Sequence, residues 1–179
     1  MNPHYAPPGV ELFSADAVHE AVETQARALE PRLAGRNPLV LVLMQGAMYY
    51  AAWLTLALKQ PLEIDYIHAT RYGKERNGRI LQWVRPPPAS VAGRTVLLVD
   101  DIFDEGVTLA EARAACLDAG ATEVVVAVLA RKRRPGVHVD PPDSVALEVP
   151  DGFVVGCGLD DAGRWRNLPG IYMLTEDAS

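Results

Sequence analysis

The run Val96-Leu97-Leu98-Val99-Asp100-Asp101-Ile102-Phe103-Asp104-Glu105-Gly106-Val107-Thr108-Leu109 joins an apolar segment to a pair of acids, a third acid and a glycine. Residues of these types at this spacing can hold an anion next to hydroxyl groups. Backbone N–H groups from Glu105 to Thr108, Gly106 and Val107 included, can converge on a phosphate, and the start of the following helix adds partial positive charge. Gly106 permits positive φ and close approach, and Thr108 adds a hydroxyl donor. Ionised carboxylates only accept hydrogen bonds, so Asp100 and Asp101 suit the vicinal hydroxyls of a ribose or a hydrated Mg²⁺. The plainer reading of an Asp-Asp pair is a strand ending in solvated acids with a threonine cap behind it. The full run is far more restrictive than the pair.

The surrounding elements must put that loop at the end of a sheet. Residues 96–99 read as a buried strand, closed by the two acids, and 109–117 as a helix ended by Gly120. Buried strands are also expected at 39–44 and 124–129, with further strands at 62–69 and 80–84. Ser14 or Asp16 can cap a helix that carries Val18, Val22, Leu29 and Leu33 on one face, with Pro31 kinking or ending it. Gln45-Gly46-Ala47 turns into an apolar helix over 48–58. The polar stretch 70–79 reads as a loop or long hairpin. This alternation predicts an α/β fold with a mostly parallel sheet flanked by helices, where ligands bind beyond the carboxyl ends of the strands. Short strands at 145–149, 154–157 and 171–174 follow without long helices.

Composition narrows the function classes. A chain of 179 residues is most simply one domain. Hydrophobic residues make up 49% and charged residues 22%, enough for a core and too balanced for disorder. A net charge of −6 argues against a general nucleic-acid binder. No apolar run reaches membrane-spanning length, and the first residues lack the basic start and apolar core of a signal peptide. Cys116 and Cys157 have no CxxC spacing and read as buried small hydrophobes of a reducing cytosol, so a cytoplasmic location is expected.

The run around Asp100 resembles the phosphoribosyl pyrophosphate motif of the type I phosphoribosyltransferases, and residues 129–132 and 153–160 resemble their hypoxanthine-guanine branch. The resemblance covers about 39–174. It implies one domain over 1–179, with a core of about 14–144 and a small hood formed by the N-terminal segment and about 145–179. It implies a Mg²⁺-dependent purine-salvage transfer from phosphoribosyl pyrophosphate to a 6-oxopurine, in a homodimer or homotetramer. Asp104 would be the general base at purine N7. Asp100 and Asp101 would hold the ribose hydroxyls and, through water, one metal. Lys132 would donate to O6, with Arg131 one place away as the competing assignment. Phe153 would stack on the base, the Val154 carbonyl would accept from a 2-amino group, and Asp160 would bind a second metal. Arg166, or Arg164 in its place, would contact diphosphate, as would Gln45, Gly46, Arg71 and Tyr72. The family commonly has Lys-Gly-Gly where this chain has Gln45-Gly46-Ala47, and Ser-Tyr where it has Arg71-Tyr72. A cis peptide between Met44 and Gln45 is also implied. The competing readings are a non-catalytic nucleotide- or RNA-binding relative of the same fold, and an enzyme for xanthine or adenine. A nucleotide-dependent ATPase is a poor reading, because the chain has no G-x-x-x-x-G-K-[ST].

Overall fold

The computed structural model describes residues 9–72, 80–134 and 136–175, with the side chains of 71, 72 and 80 outside that description. Nine strands and three α-helices are present among the described residues, in the order β1 (Val10–Phe13), α1 (Ala15–Leu33), β2 (Leu39–Met44), α2 (Met48–Ala57), β3 (Glu63–Tyr72), β4 (Ile80–Arg85), β5 (Thr95–Phe103), α3 (Val107–Asp118), β6 (Glu123–Lys132), β7 (Ser144–Val149), β8 (Val154–Val155) and β9 (Ile171–Met173). Six strands form one sheet in the order β4-β3-β2-β5-β6-β7, parallel except for β4. A smaller antiparallel sheet has the order β1-β9-β8.

Near-continuous apolar strands are what a sheet covered on both faces requires. Val40, Val42, Leu97, Val99, Val125 and Ala127 pack with α1 and α2, while their neighbours Leu41, Leu98 and Val126 pack with Leu109, Ala112 and Cys116 of α3. A buried relay ties the first face together: Tyr50 Oη donates to Gln25 Oε1 (2.6 Å), and Gln25 Nε2 donates to the Val128 carbonyl (3.1 Å). Both cysteines are buried and free, and burial pushes the Cys116 thiol up to about 11 and the Cys157 thiol up to about 12.

Several boundaries differ from the sequence expectation. Ser14 is the residue that caps α1, accepting from the Ala17 N–H, and the helix continues through Pro31 to Leu33. Strand β5 does not stop at the acids; it carries Asp100 and Asp101 inside the sheet and ends at Phe103. β3 extends to Tyr72 and pairs antiparallel with β4, so residues 70–72 of the polar stretch are strand, and 73–79 lie outside the described residues. Residues 145–149, expected in the hood, instead belong to the edge strand β7 of the main sheet, held by parallel pairing with β6. The helix expected over 109–117 begins at Val107.

Asp143 secures that edge. Its Oδ2 accepts from the Val126 N–H (2.8 Å) and its Oδ1 from Arg32 (2.7 Å), joining α1 to β6 just before β7 starts. Burial opposes its charge, but the Val126 N–H and the Arg32 guanidinium outweigh burial and hold the carboxyl below its ordinary value. The folded protein therefore holds this proton less tightly than the unfolded chain. The stability so gained is full above the ordinary carboxylate value and is lost as pH falls through the folded value. Asp143→Ala is expected to cost about 2 kcal/mol at neutral pH, a fall in Tm of roughly 4–8 °C. Melts repeated between about pH 5 and pH 3 should lose part of their pH dependence in the variant.

Candidate active site

The order of the main sheet reverses between β2 and β5. From β2 the chain crosses through α2 to β3 on one side, and from β5 it crosses through α3 to β6 on the other. The carboxyl ends of the two strands therefore open a crevice, the usual ligand position in such sheets. A cleft of about 600 Å³ lies there, and its walls include Gln45, Gly46, Asp100, Asp101, Asp160 and Arg166. Asp104, Glu105, Gly106 and Thr108 line the same cleft.

The β5–α3 loop has the form of an anion cradle. Gly106 is the N-cap of α3 at φ +76° and offers no side-chain cap, so the first N–H groups of the helix stay available. A Cβ on Gly106 would fall 2.3 Å from Val139 Cγ2 and 2.4 Å from Phe103 Cε2. Asp104 does not cap α3. Its carboxylate turns instead to the end of β6, where Lys132 Nζ donates to Oδ2 at 2.8 Å. Arg134 Nη1 lies 2.8 Å from Oδ1 as an ion pair outside hydrogen-bond geometry.

Strand alternation separates the two candidate cations. Lys132, the last residue of β6, faces Asp104, while Arg131 faces away and pairs with Glu148 of β7. A similar choice is made between the arginines near Asp160. Arg166 pairs with Asp160 (2.7 Å) and donates to the Gly158 carbonyl, whereas Arg164 is largely exposed beside Asp161 at 3.5 Å.

Gly46 occupies a tight place between two segments of this wall. A Cβ there would meet Asp101 Oδ2 at 1.9 Å, and a Cβ on Gly158, at φ +102°, would meet the Gly46 carbonyl oxygen at 1.8 Å. The Met44–Gln45 peptide just before it is cis. Asp100 is buried, and its Oδ1 accepts from the Asp101 N–H (2.9 Å). Burial pushes the Asp101 carboxyl above its ordinary value, against the pull of the Asp100 hydrogen bond and of Arg166.

Not every expected residue lines the cleft. Val107 is outward at the first turn of α3, Val154 is buried in β8, and Phe153 is exposed just before it with its carbonyl accepting from Leu174. The backbones of Arg71 and Tyr72 end β3, and their side chains lie outside the described residues. Sequence reasoning missed Ala69, which lines the cleft from β3, and Arg134, which pairs with Asp104.

The family model of the phosphoribosyl transferase domain matches residues 14–162. The chain belongs to the phosphoribosyltransferase family. Among its relatives is the hypoxanthine-guanine phosphoribosyltransferase of Streptococcus pneumoniae, 30% identical over 167 residues that cover 93% of each chain. The bifunctional TilS/HprT protein of Listeria innocua is 35% identical over 91% of this chain, which spans only 25% of that protein's length. The crystal structure of a Bacillus anthracis hypoxanthine-guanine phosphoribosyltransferase with a HEPES molecule in its active site superposes with a TM-score of 0.88 at 27% identity, covering 94% of this chain and all of that one. No described helix is long and apolar enough to cross a membrane.

Proposed function

We propose that the chain transfers the phosphoribosyl group of phosphoribosyl pyrophosphate to N9 of hypoxanthine or guanine, forming the nucleoside monophosphate and releasing diphosphate. The observation that carries this reading is Asp104. It heads the Gly106 cradle in the same cleft as Asp100 and Asp101, and it faces a lysine rather than capping its own helix. In the reading, Glu105 to Thr108 bind the 5′-phosphate through backbone N–H groups and Thr108 through its hydroxyl. Asp100 and Asp101 accept from the ribose hydroxyls. Asp104 takes the proton from N7 as N9 attacks the anomeric carbon and the bond to diphosphate breaks. Lys132 donates to O6; an adenine presents an amino donor there, with which an ammonium, itself only a donor, cannot pair. Arg166, Gln45 and Gly46 hold the diphosphate end, with Arg71 and Tyr72 closing from the hairpin. Phe153 stacks on the purine from the small sheet, and Val154 accepts from a 2-amino group.

Among the described residues no three His, Cys, Asp or Glu side chains converge on a metal-sized site. That sparse donor set fits Mg²⁺ carried by the substrate, which needs few protein carboxylates: Asp100 and Asp101 would hold one ion through water and Asp160 a second. When bound, the ion neutralises charge on the departing diphosphate. Support for a homodimer or homotetramer comes from the apolar side chains left exposed on α2, β3 and β4, among them Met48, Leu56, Ile64 and Val84. Two free thiols suit a reducing cytoplasm.

Diphosphate release from phosphoribosyl pyrophosphate, with hypoxanthine, guanine, xanthine or adenine and with or without Mg²⁺, tests the proposal. Release is expected with the first two bases, only with Mg²⁺, and about 100-fold more slowly with adenine. Absence of release with every base would overturn it and leave nucleotide or RNA binding without turnover as the better reading.

A further inference from the structure

The Asp104 carboxylate is held from two sides, and only Lys132 has a part in the reading above. Arg134 supplies the other side: its Nη1 sits 2.8 Å from Asp104 Oδ1, and its Nε donates to Asp151 Oδ1. β6 ends at Lys132, and the next turn, in which the Arg134 N–H donates to the Lys132 carbonyl (3.1 Å), brings residue 134 back beside the loop that carries Asp104. Asp151 lies in the turn closed by the Gly152 N–H on the Pro150 carbonyl (2.9 Å), directly before Phe153 and β8. One guanidinium therefore spans the loop of the main sheet and the turn that leads into the small sheet. Its Nε donates a hydrogen bond to Asp151 while its Nη1 puts charge at ion-pair distance from Asp104, both from one rigid plane that a lysine ammonium does not supply. Arg134 is about a third exposed, and pairs this accessible add little to stability, so what the bridge governs is orientation.

We infer that Arg134 is a positioning residue that aims the Asp104 carboxylate and keeps the Asp151 turn, and with it Phe153, in register with that carboxylate. The inference rests on the proposed roles of Asp104 and Phe153. It places the defect of a bridge variant on the purine side of the site, because the donor's contacts are made by other residues.

The test compares kcat and the two KM values of Arg134→Ala, Arg134→Lys, Asp151→Asn and the Arg134→Ala/Asp151→Asn double variant. Arg134→Ala is expected to lower kcat about tenfold and raise KM for hypoxanthine several-fold, with KM for phosphoribosyl pyrophosphate held within about twofold. Arg134→Lys should recover part of kcat, and Asp151→Asn should raise the hypoxanthine KM with a smaller loss of kcat. The double variant should match Arg134→Ala in hypoxanthine KM, since the shared bridge is already gone. Unchanged constants in Arg134→Ala, equal rises in both KM values, or KM effects that multiply in the double variant would overturn the inference. Should Arg134→Ala fold poorly, Asp151→Asn alone decides: its hypoxanthine KM must rise while the donor KM stays. Failure of the underlying reading looks different, since Asp104→Asn would then keep its rate, whereas failure of this inference leaves Asp104→Asn crippled and Arg134→Ala intact.

Discussion

Asp104→Asn is expected to lower kcat by about 10²–10⁴-fold with both KM values changed by no more than a few-fold. Asparagine has nearly the same volume and can still accept a hydrogen bond from Lys132 through its amide oxygen, so the loop should keep its shape. What it loses is the capacity to take a proton and the negative charge that faces Lys132 and Arg134. An effect confined to kcat marks an interaction made in the transition state rather than in binding. Steady-state kinetics with hypoxanthine and phosphoribosyl pyrophosphate, each varied in turn, checks this; a variant that retains near-full kcat would remove Asp104 from the role of base.

Gly46→Ala is expected to raise KM for phosphoribosyl pyrophosphate by about tenfold or more, while the melting temperature moves by only a few degrees. The added methyl would fall 1.9 Å from Asp101 Oδ2, which is the far end of a side chain and can swing aside. The fold survives that movement, but Asp101, the proposed ribose acceptor, does not stay in place. Gly158→Ala makes the contrast, because its methyl would fall 1.8 Å from the Gly46 carbonyl oxygen, a backbone atom, at a φ of +102° that disfavours alanine. There the loss should appear first in the melt. Donor KM and thermal melts on the two variants separate the cases, and a Gly46→Ala protein with unaltered donor KM would show that Asp101 does not meet the donor.

The interior of this fold was legible because β2, β5 and β6 are buried on both faces and therefore read as unbroken apolar runs, and because Gly106 and Gly120 mark the ends of α3's surroundings. Boundaries failed where tertiary pairing overrode local signals. Asp100 and Asp101 look like the end of a strand, yet β5 runs on because β6 supplies ladder partners opposite Asp100, Ile102 and Phe103. Residues 144–149 look like the strands that follow them, short and without helices, and only their pairing with β6 assigns them to the main sheet. In the site, the motif around Asp104 carries its own chemistry in its spacing, whereas Arg134 lies in a run of four cations, Arg131 to Arg134, whose partners depend on where β6 ends and on how the turn after it folds back.

The small sheet pairs Val10 with Met173, residues at nearly opposite ends of the chain, while the cradle is built from β5 and the helix that immediately follows it. Closing so long a loop carries a large entropic cost that must be met before the contacts it permits can form. Refolding can thus assemble the half proposed to receive the sugar phosphate from neighbouring segments, with the half proposed to cover the purine completed last, when the first and final strands meet.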